Sequence, residues 1–391
     1  MKVLVCTALF HEWTGSEIVA LETVEHFRGE GHDVVVAAET AGSPLSQVAA
    51  ALGCDVVDPV GLDPEPFDLI WAQHHVLVGV VGRALRDRES VSLPLAASVH
   101  LSPYEPLECP LLSFTELIGA ELWANSIETA ERIESRSGSL RAPVRVFHNA
   151  APAPFWAEPR ERAVPLRRLL VVSNHPPPEL LDAVALLERE HGVEVRRLGM
   201  DAEFRRLTPE DLAWADGVVS IGKTAVHALA AKCPAYIYDR FGGDGWLSAE
   251  RLAFESENNF SGRPRRRTLA ADMLAREIFH GHPEAVAFSN SPLPPDFAAR
   301  FRLAPMLDAL AARARSDGRR TVTRGDWRTS GLDGAAEMAT ILGRFMRHRY
   351  AGKRMAKIPL EPPTPSSPLR RLGRLTQALG RRGRSERGSH A

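Results

Sequence analysis

The chain lacks paired cysteines. Its four, Cys6, Cys54, Cys109 and Cys233, are scattered with no C-x-x-C and no disulfide-like spacing. A disulfide framework is therefore not expected, and a reducing cytoplasm fits. No apolar run approaches the roughly 20 residues of a spanning helix. The start MKVLVCTALF is a short apolar run cut by His11-Glu12, which argues against a secretory signal. Formal net charge is −1, so nothing global suggests nucleic acid. There is no H-E-x-x-H and no G-x-S-x-G, and His280 and His282 lack partners at zinc spacing. No metal site is expected.

What is present is globular. Hydrophobic content of 44% and charged content of 25% over 391 residues suit a chain with two full cores. The near-neutral total hides an asymmetry. From Ala351 onward ten Lys and Arg face only Glu361 and Glu386, so the tail is +8 and the remainder −9. Pro359 to Pro368 is rich in proline and serine and predicts disorder. Beyond it Leu369, Leu372, Leu375 and Leu379 fall near one helical face among arginines. That pattern reads either as a solvated end or as a basic amphipathic helix on an anionic bilayer.

The first half alternates. Lys2–Leu9 reads as a buried strand, Trp13–Ser16 as a turn and Glu17–Arg28 as an amphipathic helix. Asp33–Ala38 reads as the next strand. Further strands are expected at Asp55–Val57, Phe67–Ala72, Leu93–Val99, Glu121–Ala124 and Val144–Phe147. Asn125 or Ser126 would cap a helix from Ile127. The proline-rich 151–166 reads as a linker between domains 1–150 and 167–349, the second with closing helices, and 350–391 as the tail. The second half restarts at Arg168–Val172, followed by Ser173-Asn174-His175.

The richest stretch is Ala215–Gly245. Gly217–Ile221 reads as a strand and Gly222-Lys223-Thr224 as a turn into a helix ended by Cys233-Pro234. Ala235–Tyr238 is a second strand, and Asp239–Gly245 a loop with three glycines. Such a unit binds ligands beyond the carboxyl ends of its strands, with a helix N-terminus suited to phosphate. Gly217–Thr224 also fits G-x-x-x-x-G-K-[ST] literally, which would make a P-loop nucleotide kinase or ATPase. The context opposes this, because the four residues between the glycines are themselves the strand.

The stretch resembles the donor-binding unit of GT-B glycosyltransferases through Asp216, Gly222, Ala228, Pro234 and Gly242-Gly243. Gly15, Glu17, Gly31, His32 and Val34, the A-N-S at Ala124–Ser126, and Asn149 are similar to glycosyltransferase family 4. The resemblance implies an α/β fold of two doubly wound Rossmann-like domains facing a central cleft. It implies sugar transfer from a nucleotide-sugar donor to a hydroxyl acceptor, either a glycan, as in bacterial surface polysaccharide, or a small molecule. The nucleotide-sugar is a co-substrate, and no other cofactor is implied. With no D-x-D pair in the chain, a metal-independent reaction is expected. The resemblance places His100 at the reacting centre. It assigns donor or substrate contacts to Gly15, Ser16, Glu17, Asn149, Asn174, Gly222, Lys223, Thr224, His227, Asp239, Gly242, Gly243 and Gly245. Arg263 reads as a phosphate ligand or as part of a solvated basic run to Arg267. Family glutamates are replaced by Val219 and His227, which leaves open a non-catalytic GT-B-like partner protein. The expected site of action is cytoplasmic, with peripheral membrane contact through the tail.

Overall fold

The computed structural model describes residues 1–102, 112–137, 143–157 and 161–356. The tail from 357 onward, with its expected disorder and leucine face, lies outside the described residues, as does Cys109. Residues Met1–Met346 form one compact unit.

In chain order the first part runs β1 (Lys2–Phe10), α1 (Gly15–Gly29), β2 (Asp33–Ala41), α2 (Leu45–Ala51), β3 (Asp55–Val57), β4 (Leu69–Gln73) and α3 (Val76–Asp87). It continues as β5 (Ser90–Leu93), β6 (Leu95–His100), α4 (Leu112–Ile118), β7 (Glu121–Ala124), α5 (Ile127–Ser137) and β8 (Val144–Val146). After α6 (Pro154–Ala157) come β9 (Arg168–Val172), α7 (Pro178–His191), β10 (Glu194–Leu198), α8 (Pro209–Trp214), β11 (Gly217–Ser220), α9 (Lys223–Ala230), β12 (Ala235–Asp239) and β13 (Gly242–Trp246). The last elements are α10 (Ala249–Glu257), α11 (Ala271–Asn290), α12 (Pro295–Arg300), α13 (Leu303–Ser316), β14 (Arg320–Thr323), α14 (Arg324–Thr329) and α15 (Asp333–Ala356).

Two large sheets result, in the doubly wound α/β arrangement expected, with a two-stranded pair of β14 and β5 besides. The first has the order β3-β2-β1-β4-β6-β7-β8 and the second β10-β9-β11-β12-β13. Every pairing in the first is parallel, and in the second only β13 is antiparallel. The strands are continuous apolar runs because helices cover both faces. Val3, Val5 and Trp71 pack on one side of the first sheet, and Leu4, Cys6 and Ile70 on the other. Each sheet reverses its winding once, between β1 and β4 and between β9 and β11. At such reversals the chain leaves a crevice at the carboxyl edge.

Three expectations change here. Gly217–Ser220 is a strand, and α8 precedes it, so the P-loop reading fails. Gly242–Gly245 is not a loop but β13, paired with β12. A Cβ at Gly243 would overlap the Ile237 carbonyl, so only glycine fits that approach. The segment 151–166, expected as a linker, is packed down where it is described. Phe155 lies in the core of the second sheet, and the Arg162 guanidinium donates to the carbonyls of Ala213, Ala215, Ala231 and Lys232.

The chain also returns. Ala151 and Leu303 exchange backbone bonds across the two crossings, Ala151 N–H to Phe301 O at 2.8 Å and Leu303 N–H to Ala151 O at 3.0 Å. Leu303, Leu307 and Leu310 of α13 then pack on the first sheet. Val322, Trp327, Leu332 and Ala336 cover its other face, and β14 pairs with β5. The closing helices from α13 onward thus belong to the first sheet, not to a second domain ending at 349. Among the described residues, no helix is long and apolar enough to cross a membrane.

Candidate active site in the cleft

A cavity of about 590 Å³ opens where the two reversals face each other. The first sheet contributes Trp13 to Ser16 after β1 and His74 after β4; the second contributes Val172 to His175 after β9, Ser220 to Thr224 after β11 and Asp239 to Phe241 after β12. Gly15, Ser16, Asn149, Asn174, Gly222, Lys223, Thr224, His227 and Asp239 all line it. The fold therefore gathers nine of the expected residues from both halves of the chain.

Two helices aim their N-termini into this space. The head of α1 is set by Glu17, whose Oε1 accepts the N–H groups of His11 (2.7 Å) and Glu12 (2.9 Å) and whose Oε2 accepts the Thr14 hydroxyl (2.5 Å). Glu17 is fully buried and shapes the turn rather than facing a ligand. At α9, Gly222 adopts φ 62°, and its N–H is taken by Phe260 O at 2.9 Å. The next two N–H groups, of Lys223 and Thr224, have no acceptor within the helix.

Lys223 does not reach into the cleft. Its ammonium lies 2.6 Å from Glu22 Oε2 and donates to Asn149 O (3.3 Å) and Ala150 O (3.0 Å). Glu22, on α1, is 1% exposed. Arg206 also approaches it at 3.4 Å while holding Glu25 at 2.5 Å. His227 Nε2 is 3.4 Å from Glu22, and its ring stacks on Phe155 with centroids 4.0 Å apart. Burial pushes the Glu22 carboxyl up, but Lys223, His227 and Arg206 outweigh it and bring it down to about 2. Burial lowers His227 below its ordinary value, against the pull of Glu22. The residue in the family's glutamate position thus stands beside a cross-sheet ion cluster while also lining the cavity.

Other assignments move too. Arg263 pairs with Glu128 at 2.5 Å, bridging the sheets. Gly242, Gly243 and Gly245 are buried in β13 and do not line the cavity. His100 is 6% exposed beside Ser98 Oγ (3.2 Å) and is not in the cavity wall, although Leu101 and Ser102 after it are. His74 does line it, with φ 61°. Its Nδ1 accepts the Ala8 N–H at 3.1 Å, and burial, with His75 and His100 nearby, lowers it to about 3. A neutral ring with Nε2–H is fixed by that bond.

Arg240 was missed by sequence reasoning. Of the cations lining the cavity, Arg205 is held by Asp211 and Glu203, Arg206 by Glu25, and Lys223 by Glu22. Among the described residues, Arg240 forms no close ion pair; it lies beside Asp239, whose carboxyl its charge draws down, and rests 4.7 Å from the Phe241 ring. Beside it Asp239 accepts the Ser173 hydroxyl at 2.8 Å, and burial raises its carboxyl.

No family model matches the chain, and no curated protein matches it. Among solved structures it is similar to a glycosyltransferase from Rickettsia africae ESF-5, 11% identical over 81% of this chain and 98% of that one, with a TM-score of 0.45. It is similar also to a UDP-GlcNAc 2-epimerase from Neisseria meningitidis bound to UDP-GlcNAc, 10% identical over 80% and 100% with a TM-score of 0.46. A sucrose-phosphate synthase from Thermosynechococcus elongatus is 14% identical over 81% and 99%, with a TM-score of 0.41.

Proposed function

We propose that the chain is a glycosyltransferase that binds a nucleotide-sugar in the cleft and transfers the sugar to a hydroxyl acceptor. One observation carries this reading: the heads of α1 and α9 converge on one cavity in which, among the described residues, the Arg240 guanidinium forms no close ion pair. Helix N-termini and an arginine outside any close ion pair suit a diphosphate, whose charge grows as the sugar departs. The proposed division of labour gives the backbone N–H groups of Lys223 and Thr224 the phosphates, Arg240 their charge, and Asp239 with Asn174 hydroxyl groups of the donor. His74, a neutral donor, replaces His100 as the first-sheet group nearest the reacting sugar. The acceptor would enter between Trp13 and Leu101, and a lipid-linked glycan would place it near a membrane.

Thermal-shift titration with UDP-, GDP-, dTDP- and CMP-sugars tests the donor. A ligand at 100 times its Kd adds about 2.7 kcal/mol. Arg240→Ala is expected to weaken the preferred nucleoside diphosphate by about 10- to 100-fold, the size of one charge-assisted bond, while the bare nucleoside binds as before. Equal diphosphate affinity in variant and wild type would remove Arg240 from the site. A second reading, a donor-binding protein without transfer, draws on the commitment of Lys223 and His227 to Glu22. Product formation with a panel of sugar acceptors, or slow hydrolysis of the donor, separates the two.

A further inference from the structure

The described residues expose few large apolar side chains, and three of them share one helix. Met338, Ile341 and Phe345 of α15 are 55%, 50% and 59% exposed. They are spaced three and four apart, so they form one stripe on the face opposite Leu332, Ala336 and Ala339, which pack on the first sheet. An amphipathic helix normally hides its single apolar side. This one hides one side and presents a second.

Charge selects what covers it. From Met338 to Leu360 there are six basic residues, Arg344, Arg347, Arg349, Lys353, Arg354 and Lys357, and no acidic one. The remaining sequence from 358 carries seven Arg against Glu361 and Glu386. A cover made of this chain's own end, or of a second copy of the same helix, would bring like charge against like. An anionic lipid surface brings the opposite sign and accepts apolar side chains between its headgroups. We infer that the outer face of α15 is a membrane-docking surface, with Met338, Ile341 and Phe345 entering the interface of an anionic bilayer and Arg344 meeting its phosphates. This inference stands apart from the transferase reading, since it concerns a helix outside the cleft and is measured without substrate.

The experiment is co-sedimentation of the full chain with phosphatidylcholine vesicles, with and without phosphatidylglycerol, alongside Ile341→Asp/Phe345→Asp. Both positions are exposed, so the variant is expected to keep the wild-type melting temperature. Wild type is expected to bind only the anionic vesicles, and binding is expected to fall as salt rises. The double variant is expected to bind at least about tenfold more weakly. A second variant, the chain ended after Ala356, is expected to retain the Ile341 and Phe345 sensitivity. Equal binding by wild type and the double variant overturns the proposal. So does binding lost wholly on truncation, which would place the contact in the tail. A wild type that sediments as a dimer while the double variant is a monomer makes the face a self-association surface, and overturns it as well.

Discussion

Glu22→Gln is expected to destabilise the protein by about 3–5 kcal/mol at pH 7, the loss seen when one partner of a buried ion pair is removed. The carboxylate joins α1 of the first sheet to α9 of the second through Lys223, with Arg206 and His227 beside it. Glutamine leaves the Lys223 ammonium facing a neutral group, while Arg206 keeps Glu25. The same pair sets an acid limit. Glu22 ionises near 2 in the fold against 4.5 ordinarily. A carboxylate lowered in this way contributes its stability above the ordinary value and loses it as pH falls toward the folded one. The window is therefore pH 4.5 down to 2, and the contribution is about 3 kcal/mol. Urea unfolding of both proteins at pH 7 and at pH 3 measures it. The gap is expected to narrow on acidification; a variant within about 1 kcal/mol of wild type at pH 7 would show that the cluster does not hold the sheets together.

Glu255→Gln is expected to act in the opposite sense. Glu255 and Asp244 are both buried, and their oxygens find no hydrogen-bond donor from another described residue. Arg265 stands 3.7 Å from Asp244. Burial first, and Asp244 beside it next, push Glu255 up to about 8. A carboxyl raised this way holds in the fold a proton that the unfolded chain releases, so stability falls as pH rises from 4.5 to 8. Glutamine supplies a permanent N–H to Asp244 and removes the penalty. The variant is expected to be more stable by about 2–4 kcal/mol at pH 8 and equal to wild type near pH 4.5. A gap that is the same at both pH values would mean that the two carboxyls do not share a proton. The backbone at Glu255 leads to the cleft: its carbonyl accepts the Phe260 N–H at 2.7 Å, and Phe260 O accepts that of Gly222.

The alternation of strands and helices was legible in the chain because its signals are local. Val3 to Cys6, Leu169 to Val172 and Val218-Val219 are short apolar runs bounded by turns, and α8 carries its own capping box at Thr208 and Asp211. Such features bury or terminate an element whatever lies elsewhere. Gly242-Gly243-Asp244-Gly245-Trp246 has none of the side chains of a strand, and so reads as a loop. It becomes β13 because the edge of β12 needs a partner and only glycines can approach the Ile237 and Arg267 carbonyls.

Partnership of charges is the part that sequence could not carry. Glu22 looks like any residue on the face of α1, and nothing near it in the chain marks Lys223 or Arg206 as its neighbours. Lys223 and Arg263 sit in positions that suit phosphate, yet their cations are taken by carboxylates from the other sheet, Glu22 and Glu128. Arg240 stands out only once those pairings are known. The return of α13 to α15 onto the first sheet is of the same kind, since their apolar faces would serve either sheet. By itself the sequence determined two doubly wound sheets and a ligand edge at each reversal, because periodicity and turn chemistry act within a few residues. The tertiary structure decided which charges remain available to a ligand, because a buried charge must find an opposite one wherever in the chain it lies.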